Sequence, residues 1–292
     1  MIRLSYRTQL ILLLLPFLLG TLFLIAAPGV LTALLAFTHF DALSPPAFAG
    51  LANFRELTLS PLYFIALKNS LVFMALAVPL RLIAALGLAL LLRGSFRGVS
   101  AYRAAVFLPS ILPDVAYALI WLWILNPLYG PLNLILRAVG LPAPAWLVDP
   151  ATALPALVLM SVFQIGEGVV VLIAALRGVP REYVESALTD GANRWQRFAR
   201  ITLPLIAPWL VLLACRDAIL TLHSTFVPAL LMTEGGPNYA TLFLPLVVYE
   251  EAFDNLRFGV ASALMWVMYA LTGIVILIFF RLTRRWMLLD ET

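Results

Sequence analysis

Five ionisable residues, Arg81, Asp114, Glu167, Arg216 and Asp217, sit inside long apolar runs. A charge in hydrocarbon is costly, so each must face a partner or a polar cavity. Two are cations and three are acids, and simple pairing leaves one acid over. Interhelical ion pairs suit Arg81 and Arg216. The acids Asp114, Glu167 and Asp217 could instead relay protons or ions, as in an ion-coupled secondary transporter. Arg216 and Asp217 are sequence neighbours and point to different parts of a helix surface, so no direct pair between them is expected. Gln164 and Glu167 are three apart and share a helix face, with Gly166 and Gly168 keeping that region slim. His223, Ser224 and Thr225 form a polar patch ahead of Pro228. His223 has no second ligand at zinc spacing, so no metal site is read. No catalytic constellation is present, and the chain does not read as an enzyme.

The elements that must carry these groups follow from composition. Of 292 residues, 63% are apolar and 12% charged, against roughly 25% charged in soluble domains. Mean hydropathy is +1.01. That excludes a soluble globule and points to an all-α integral membrane protein. A crossing needs about 20 apolar residues. Six stretches qualify: Leu10–Phe37, Asn69–Leu92, Ala104–Leu125, Ala153–Leu176, Leu203–Phe226 and Gly259–Phe280. The first is too long for a signal peptide and is read as retained. Thr241–Val248 is apolar but short, and either lies at the outer surface or re-enters between helices. Trp121, Trp123 and Trp266 suit interfacial anchoring or ring stacking.

Arginines set the orientation. Arg3 and Arg7, then Arg93, Arg97 and Arg103, then Arg177, Arg181, Arg194, Arg197 and Arg200, then Arg281, Arg284 and Arg285 fall in alternate segments. The opposite segments hold only Arg55, Lys68, Arg137 and Arg257. The positive-inside rule makes the first set, and both termini, cytoplasmic. Lys68 is the only lysine, and Leu67-Lys68-Asn69 is no phosphate loop. The chain cannot itself be a P-loop ATPase.

The cytoplasmic loop 178–204 is more than a linker. Pro180 suits a helix start, with Glu182 and Glu185 in the first turns where the dipole favours acids. Gly191 can take a positive φ and end that helix. A second short helix, Ala192–Arg200, would carry Trp195, Phe198 and Ala199 on one face. One reading is an interfacial loop, with aromatics in the headgroups and arginines on anionic lipid. The other is a compact projecting knob.

Glu185-Ser186-Ala187, Gly191 three residues on, and Ile201-Thr202-Leu203-Pro204 nine further resemble the EAA loop of permease subunits of binding-protein-dependent ABC importers. Ser186 for alanine is the one departure. More of the chain, from about Gly50 to Arg285, is similar to the MalF/UgpA-like permeases of carbohydrate importers. The matching pieces are Gly50-Leu51-Ala52-Asn53-Phe54, Phe107-Leu108-Pro109, Asp190-Gly191-Ala192, Thr233-Glu234-Gly235-Gly236-Pro237 and Phe258-Gly259-Val260-Ala261-Ser262-Ala263.

The resemblance implies the type I ABC importer transmembrane fold. Residues 1–68 would form a first helix and outer loop, 69–285 a five-helix core, and 286–292 a cytoplasmic tail. It implies ATPase coupling through Glu185, Ser186, Ala187, Asp190, Gly191, Ile201, Leu203 and Pro204. Gln164, Glu167, Ser224 and Thr225 would line a sugar path, and Gly235-Gly236-Pro237 would meet an extracytoplasmic substrate-binding protein. The other partners implied are a second, MalG/UgpE-like permease, two copies of an ABC ATPase that bind ATP and Mg, and membrane lipid, with no nucleic acid and no cofactor in this chain. The location implied is a bacterial or archaeal cytoplasmic (inner) membrane.

Overall fold

The structure is a computed structural model, and it describes residues 5–287, leaving aside the side chains of 7–9 and 282–287. Arg3, the side chains of Arg7, Arg284 and Arg285, and residues 288–292 of the expected tail lie outside the described residues.

The first apolar run is α1 (Tyr6–Thr21) and α2 (Ala27–Leu35), joined through a π turn at Leu22–Ala26. A two-residue hairpin follows, β1 (Thr38–His39) antiparallel to β2 (Ala47–Phe48). Then come α3 (Ala52–Leu59), α4 (Pro61–Leu92), α5 (Val99–Phe107), α6 (Asp114–Ile124) and α7 (Pro131–Ala138). The next are α8 (Pro150–Val162), α9 (Gly166–Arg177), α10 (Arg181–Thr189), α11 (Arg194–Arg197) and α12 (Leu203–Ser224). One turn, α13 (Phe226–Pro228), leads to α14 (Leu244–Tyr249) and α15 (Phe258–Met287).

Four helices are long and apolar enough to cross a membrane, or up to six if each of two bent pairs is one crossing. The bent pairs correct two of the expected spans. The third is Val99–Ile111 and Asp114–Ile124 meeting at 103°, and the fourth is Pro150–Val162 and Gly166–Arg177 meeting at 49°. Leu112 is extended (ψ 136°) ahead of Pro113, as the proline ring requires of its predecessor. The fifth span runs as Arg194–Thr233, so the second helix of the cytoplasmic loop is continuous with it.

Prolines also explain two π turns. A proline ring clashes with the carbonyl four residues back. For Pro28 and Pro204 those carbonyls belong to Leu24 and Arg200. They lie within the π turns Leu22–Ala26 and Phe198–Thr202, where the widened backbone relieves the clash.

The chain divides into two compact units: 1–63 with 247–269, and 64–246 with 270–292. These cut the chain differently from the expected 1–68 and 69–285, because the start of α15 joins the N-terminal unit. Inside that unit, Asn53 Nδ2 donates to the Ala36 and Thr38 carbonyls at 2.8 and 2.9 Å. A Cβ on Gly259 would lie 2.0 Å from the Thr38 oxygen, so only glycine fits. The pieces Gly50–Phe54 and Phe258–Ala263 therefore serve one joint. Arg257 pairs with Glu56 and with Glu251 beside it.

In the larger unit, α4, α9 and α12 share a core of Ala85, Ala89, Val169, Leu172 and Ile206. The small residues matter, since helices in lipid are held by close packing rather than by water exclusion. A Cβ on Gly168 would sit 3.5 Å from Ala85 Cβ, an ordinary contact. On Gly166 it would fall 2.7 Å from Phe107 Cα and 2.8 Å from Ser110 Oγ. At Gly166 the slimness is obligatory. The short run Thr241–Val248 packs against α4 rather than lying on the protein surface: Phe243 is fully buried, its ring 5.3 Å from Phe73. Ser70 Oγ accepts from the Leu244 amide at 3.1 Å.

Candidate functional site

Three places in the larger unit gather the residues with chemistry. The first is a small cavity where α4, α6, α12 and the break between α8 and α9 converge. Arg81, Asp114, Gln164, Ser224 and Thr225 form part of its lining, facing the aromatic rings of Phe73, Tyr117 and Phe243. The cavity is about 40 Å³, against the roughly 10–15 Å³ one water needs. It has room for a few waters and not for a sugar ring. The Tyr117 hydroxyl is spent on the Met160 carbonyl at 2.7 Å, and Thr221 Oγ1 on the Asp217 carbonyl at 2.5 Å. Thr225 is 4% exposed, and its Oγ1 has no hydrogen-bond partner among the described residues.

Of the four path residues read from the sequence, Gln164, Ser224 and Thr225 meet at this cavity. Glu167 does not line it. Gln164 and Glu167 were expected on one helix face, but the helix breaks at 163–165. That turns Gln164 to the cavity and leaves Glu167 in the first turn of α9. Sequence reasoning missed Tyr117 and Thr221. Their signal was a polar group in an apolar run, which bridging a backbone carbonyl also explains.

The second place is a chain of ion pairs across three helices. Arg81 Nε on α4 lies 3.5 Å from Asp217 Oδ2 on α12, and both side chains are largely buried, at 14% and 9% exposed. Arg81 also donates to the Gln164 carbonyl at 3.3 Å. Arg216 on α12 pairs with Glu167 on α9. The interhelical pairing expected of Arg81 and Arg216 is present. The expectation that Arg216 and Asp217 do not pair is wrong: Arg216 Nη1 reaches Asp217 Oδ1 at 3.3 Å. Its long stem lets the guanidinium sweep around the helix surface although the Cα–Cβ directions diverge. No cation pairs with Asp114 among the described residues.

The third place is the loop 178–204. The α10 helix ends in a Schellman stop. The Ala192 amide donates to Ala187 at 2.9 Å, the Gly191 amide donates to Leu188 at 3.1 Å, and Gly191 takes φ +79°. Two residues later Asn193 and Gln196 form a reciprocal capping box, each bond 2.8 Å. Pro180 is the N-cap of α10 rather than its first helical residue. Trp195 and Phe198 stack at 5.6 Å. Glu185, Ser186, Asp190 and Gly191 are exposed, Ala187 is half-buried, and Ile201, Leu203 and Pro204 run into α12. The corner is an exposed element held by local backbone and side-chain hydrogen bonds.

The Gly235-Gly236-Pro237 turn is more pinned than a free docking loop. Gly235 (φ +75°) is buried, and a Cβ there would press 3.2 Å against both Leu242 and Leu246. Thr241 Oγ1 donates to the Gly236 carbonyl at 2.6 Å and lies 2.6 Å from Thr233 Oγ1. The turn's outward groups are Glu234, Asn238 and Tyr239.

Residues 82–288 match the family described as "Binding-protein-dependent transport system inner membrane component". The chain belongs to this family. The matched span holds the exposed corner, the cavity lining apart from Phe73 and Arg81, and the ion-pair chain apart from Arg81. This permease is 36% identical over 276 residues to the "Probable ABC transporter permease protein YesP" of Bacillus subtilis, covering 93% of this chain and 89% of that one. It is 31% identical to the sulfoquinovosyl glycerol transport system permease protein SmoG of Agrobacterium fabrum, over 86% and 83% of the two chains. The fold matches a chain of the bacterial alginate ABC transporter, solved with an alginate pentasaccharide-bound periplasmic protein. There the TM-score is 0.82 at 24% identity, covering 95% and 94% of the two chains. The permease thus has the type I ABC importer fold and is a multi-pass membrane protein.

Proposed function

We propose that the chain forms one half of the membrane pathway of an ATP-driven carbohydrate importer. It lies in the cytoplasmic membrane of a bacterium or archaeon. A second permease supplies the other half, two ATPase subunits bind ATP and Mg, and an extracytoplasmic binding protein delivers the sugar. SmoG, a relative along most of its length, is named for a sugar glycerol, which favours carbohydrate over other solutes.

The observation that carries this reading is the exposed corner at Gly191. Closing two ATPases must move membrane helices as rigid bodies, and a lever for that motion must not flex. Here a Schellman stop and a capping box lock both sides of one positive-φ glycine. The second arm then continues without a break into the 40-residue helix Arg194–Thr233. Force on α10 therefore reaches Asp217, Ser224 and Thr225 along one helix. Glu185 supplies the exposed charge that meets basic groups on the ATPase, and Ala187 and Gly191 allow close approach.

Gln164, Ser224 and Thr225 line the solute path, and Glu167 acts through Arg216 rather than on the solute. The cavity is too small for a sugar because the second permease builds its other wall. Glu234, Asn238 and Tyr239, presented by the Gly235-Gly236-Pro237 turn, meet the binding protein.

The test is sugar uptake by proteoliposomes holding all subunits, with Glu185→Lys in this chain. Uptake should fall to background while the ATPase subunits still hydrolyse ATP. Unchanged uptake refutes the coupling role.

A further inference from the structure

The breaks in the two bent spans create helix N-termini beside the pathway. The α6 helix begins at Asp114 after the 103° bend, and α9 begins at Gly166 after the 49° bend. A helix N-terminus carries about half a positive charge and several unbonded N–H groups. Exposed to a solute inside a membrane, it is a ready anion site.

Both termini carry an acid of the chain in their first turn. Asp114 is the first residue of α6. Glu167 stands in the first turn of α9, and the Gly166 amide donates to Ser110 Oγ at 3.0 Å. The cations of the region are answered too: Arg81 by Asp217, and Arg216 by Glu167 and Asp217. The acid left over in the sequence is thereby identified. It is Asp114, which no described cation pairs, and it lines the cavity.

A second observation points to a ligand at the same place. Thr225 lines that cavity with its Oγ1 buried and unpartnered. A buried hydroxyl left without a partner is costly unless something completes it. Ser224 and Gln164 add further hydrogen-bonding groups on the same lining, and the rings of Phe73 and Phe243 offer apolar faces. The unclaimed chemistry of the cavity is therefore one carboxylate, hydroxyls, an amide, aromatic surface and the buried Nε of Arg81, which has no hydrogen-bond partner among the described residues. The charge of Arg81, the one described cation of the lining, is already answered by Asp217.

We infer that this pathway selects uncharged, hydroxyl-rich solutes. The Asp114 carboxylate accepts sugar hydroxyls, Thr225 completes its hydrogen bond to the solute, and sulfonated, phosphorylated or uronic-acid sugars are rejected by the unpaired acid. Asp114 puts a negative charge at the helix start that would otherwise favour an anion. The inference rests on the carbohydrate-importer reading above and departs from the solute for which SmoG is named.

The experiment uses the complete importer in proteoliposomes. The ligand carried by its purified binding protein is identified by mass spectrometry. Uptake is then measured for that ligand and for a panel of neutral mono- and disaccharides with their uronate, sulfonate and phosphate counterparts. The expected ligand is neutral, and only neutral sugars are taken up. Asp114→Asn should lower that uptake about tenfold, the scale of one lost charged hydrogen bond, and Asp114→Glu should recover most of it. An anionic ligand taken up in preference to its neutral counterpart overturns the inference and leaves the importer reading standing. Neutral uptake that is unaltered by Asp114→Asn, in a complex of unchanged subunit composition, also overturns it. No ATP-dependent uptake of any panel sugar by the wild-type complex overturns the importer reading itself.

Discussion

The exposed corner and the intramembrane ion-pair chain solve opposite problems. The corner is made rigid locally. Its bonds join Ala187 to Ala192 and Asn193 to Gln196, all within ten residues. The ion-pair chain is made rigid at a distance. Arg81, Glu167 and Asp217 come from three helices, and none has a reason to hold its place without the others. A part that must move as a unit is best built from its own backbone. A part that must define how helices sit together has to be built from their side chains.

The largest effect should come from breaking the corner's one special backbone position. Proline fixes φ near −65°, which Gly191 at +79° cannot accept. Gly191→Pro should abolish uptake by the reconstituted importer while leaving ATP hydrolysis by the partner subunits, measured as phosphate release. The fold should survive, because no other element depends on that turn.

Breaking the distant pair should do the reverse and strike stability. Removing one partner of a buried ion pair costs about 3–5 kcal/mol, whereas replacing both by apolar groups is often near neutral. Arg81→Met alone should lower the melting temperature of the detergent-purified complex sharply. Arg81→Met with Asp217→Leu should restore most of the loss. If the double variant is no more stable than the single, the pair is not what holds α4 on α12.

A smaller effect belongs to the cap. Asn193→Ala should cost about 1 kcal/mol locally. Hydrogen exchange should read it as faster exchange confined to 193–198, with uptake reduced rather than lost. The smallest lies outside both regions. Burial, reinforced by Asp254 and Glu251, raises the Glu250 carboxyl above the usual carboxylate range. The fold therefore prefers its protonated form. Its stabilising contribution is full below the ordinary value and is lost as pH rises through the raised one. Glu250→Gln should flatten that part of the stability–pH curve, and an unchanged slope would count against the burial argument.

The contrast also explains what the sequence made readable. Hydropathy located the four long apolar helices and both bent pairs, because apolar length is a local property. The corner was readable for the same reason: Gly191 and the acids at 182 and 185 act within a few residues. The breaks were signalled by Pro109, Pro113 and Gly166, but prolines and glycines also occur in unbroken membrane helices, so the bends of 103° and 49° did not follow. Which acid stays unpaired could not be read at all. It depends on Arg216 reaching both Glu167 and its own neighbour Asp217, a side-chain path across helices. For the same reason Gln164 and Glu167 parted company, and the joint of Asn53 with Gly259 emerged only where residues two hundred apart meet.

The central claim is that the corner at Gly191 touches the ATPase. Glu185→Cys in a Cys215→Ser background, within the assembled importer, tests it by bifunctional thiol-to-amine cross-linking and mass spectrometry. The account predicts a product joining position 185 to an ATPase subunit, and none from Asn238→Cys on the opposite side. A product from Asn238→Cys, with none from position 185, would contradict it.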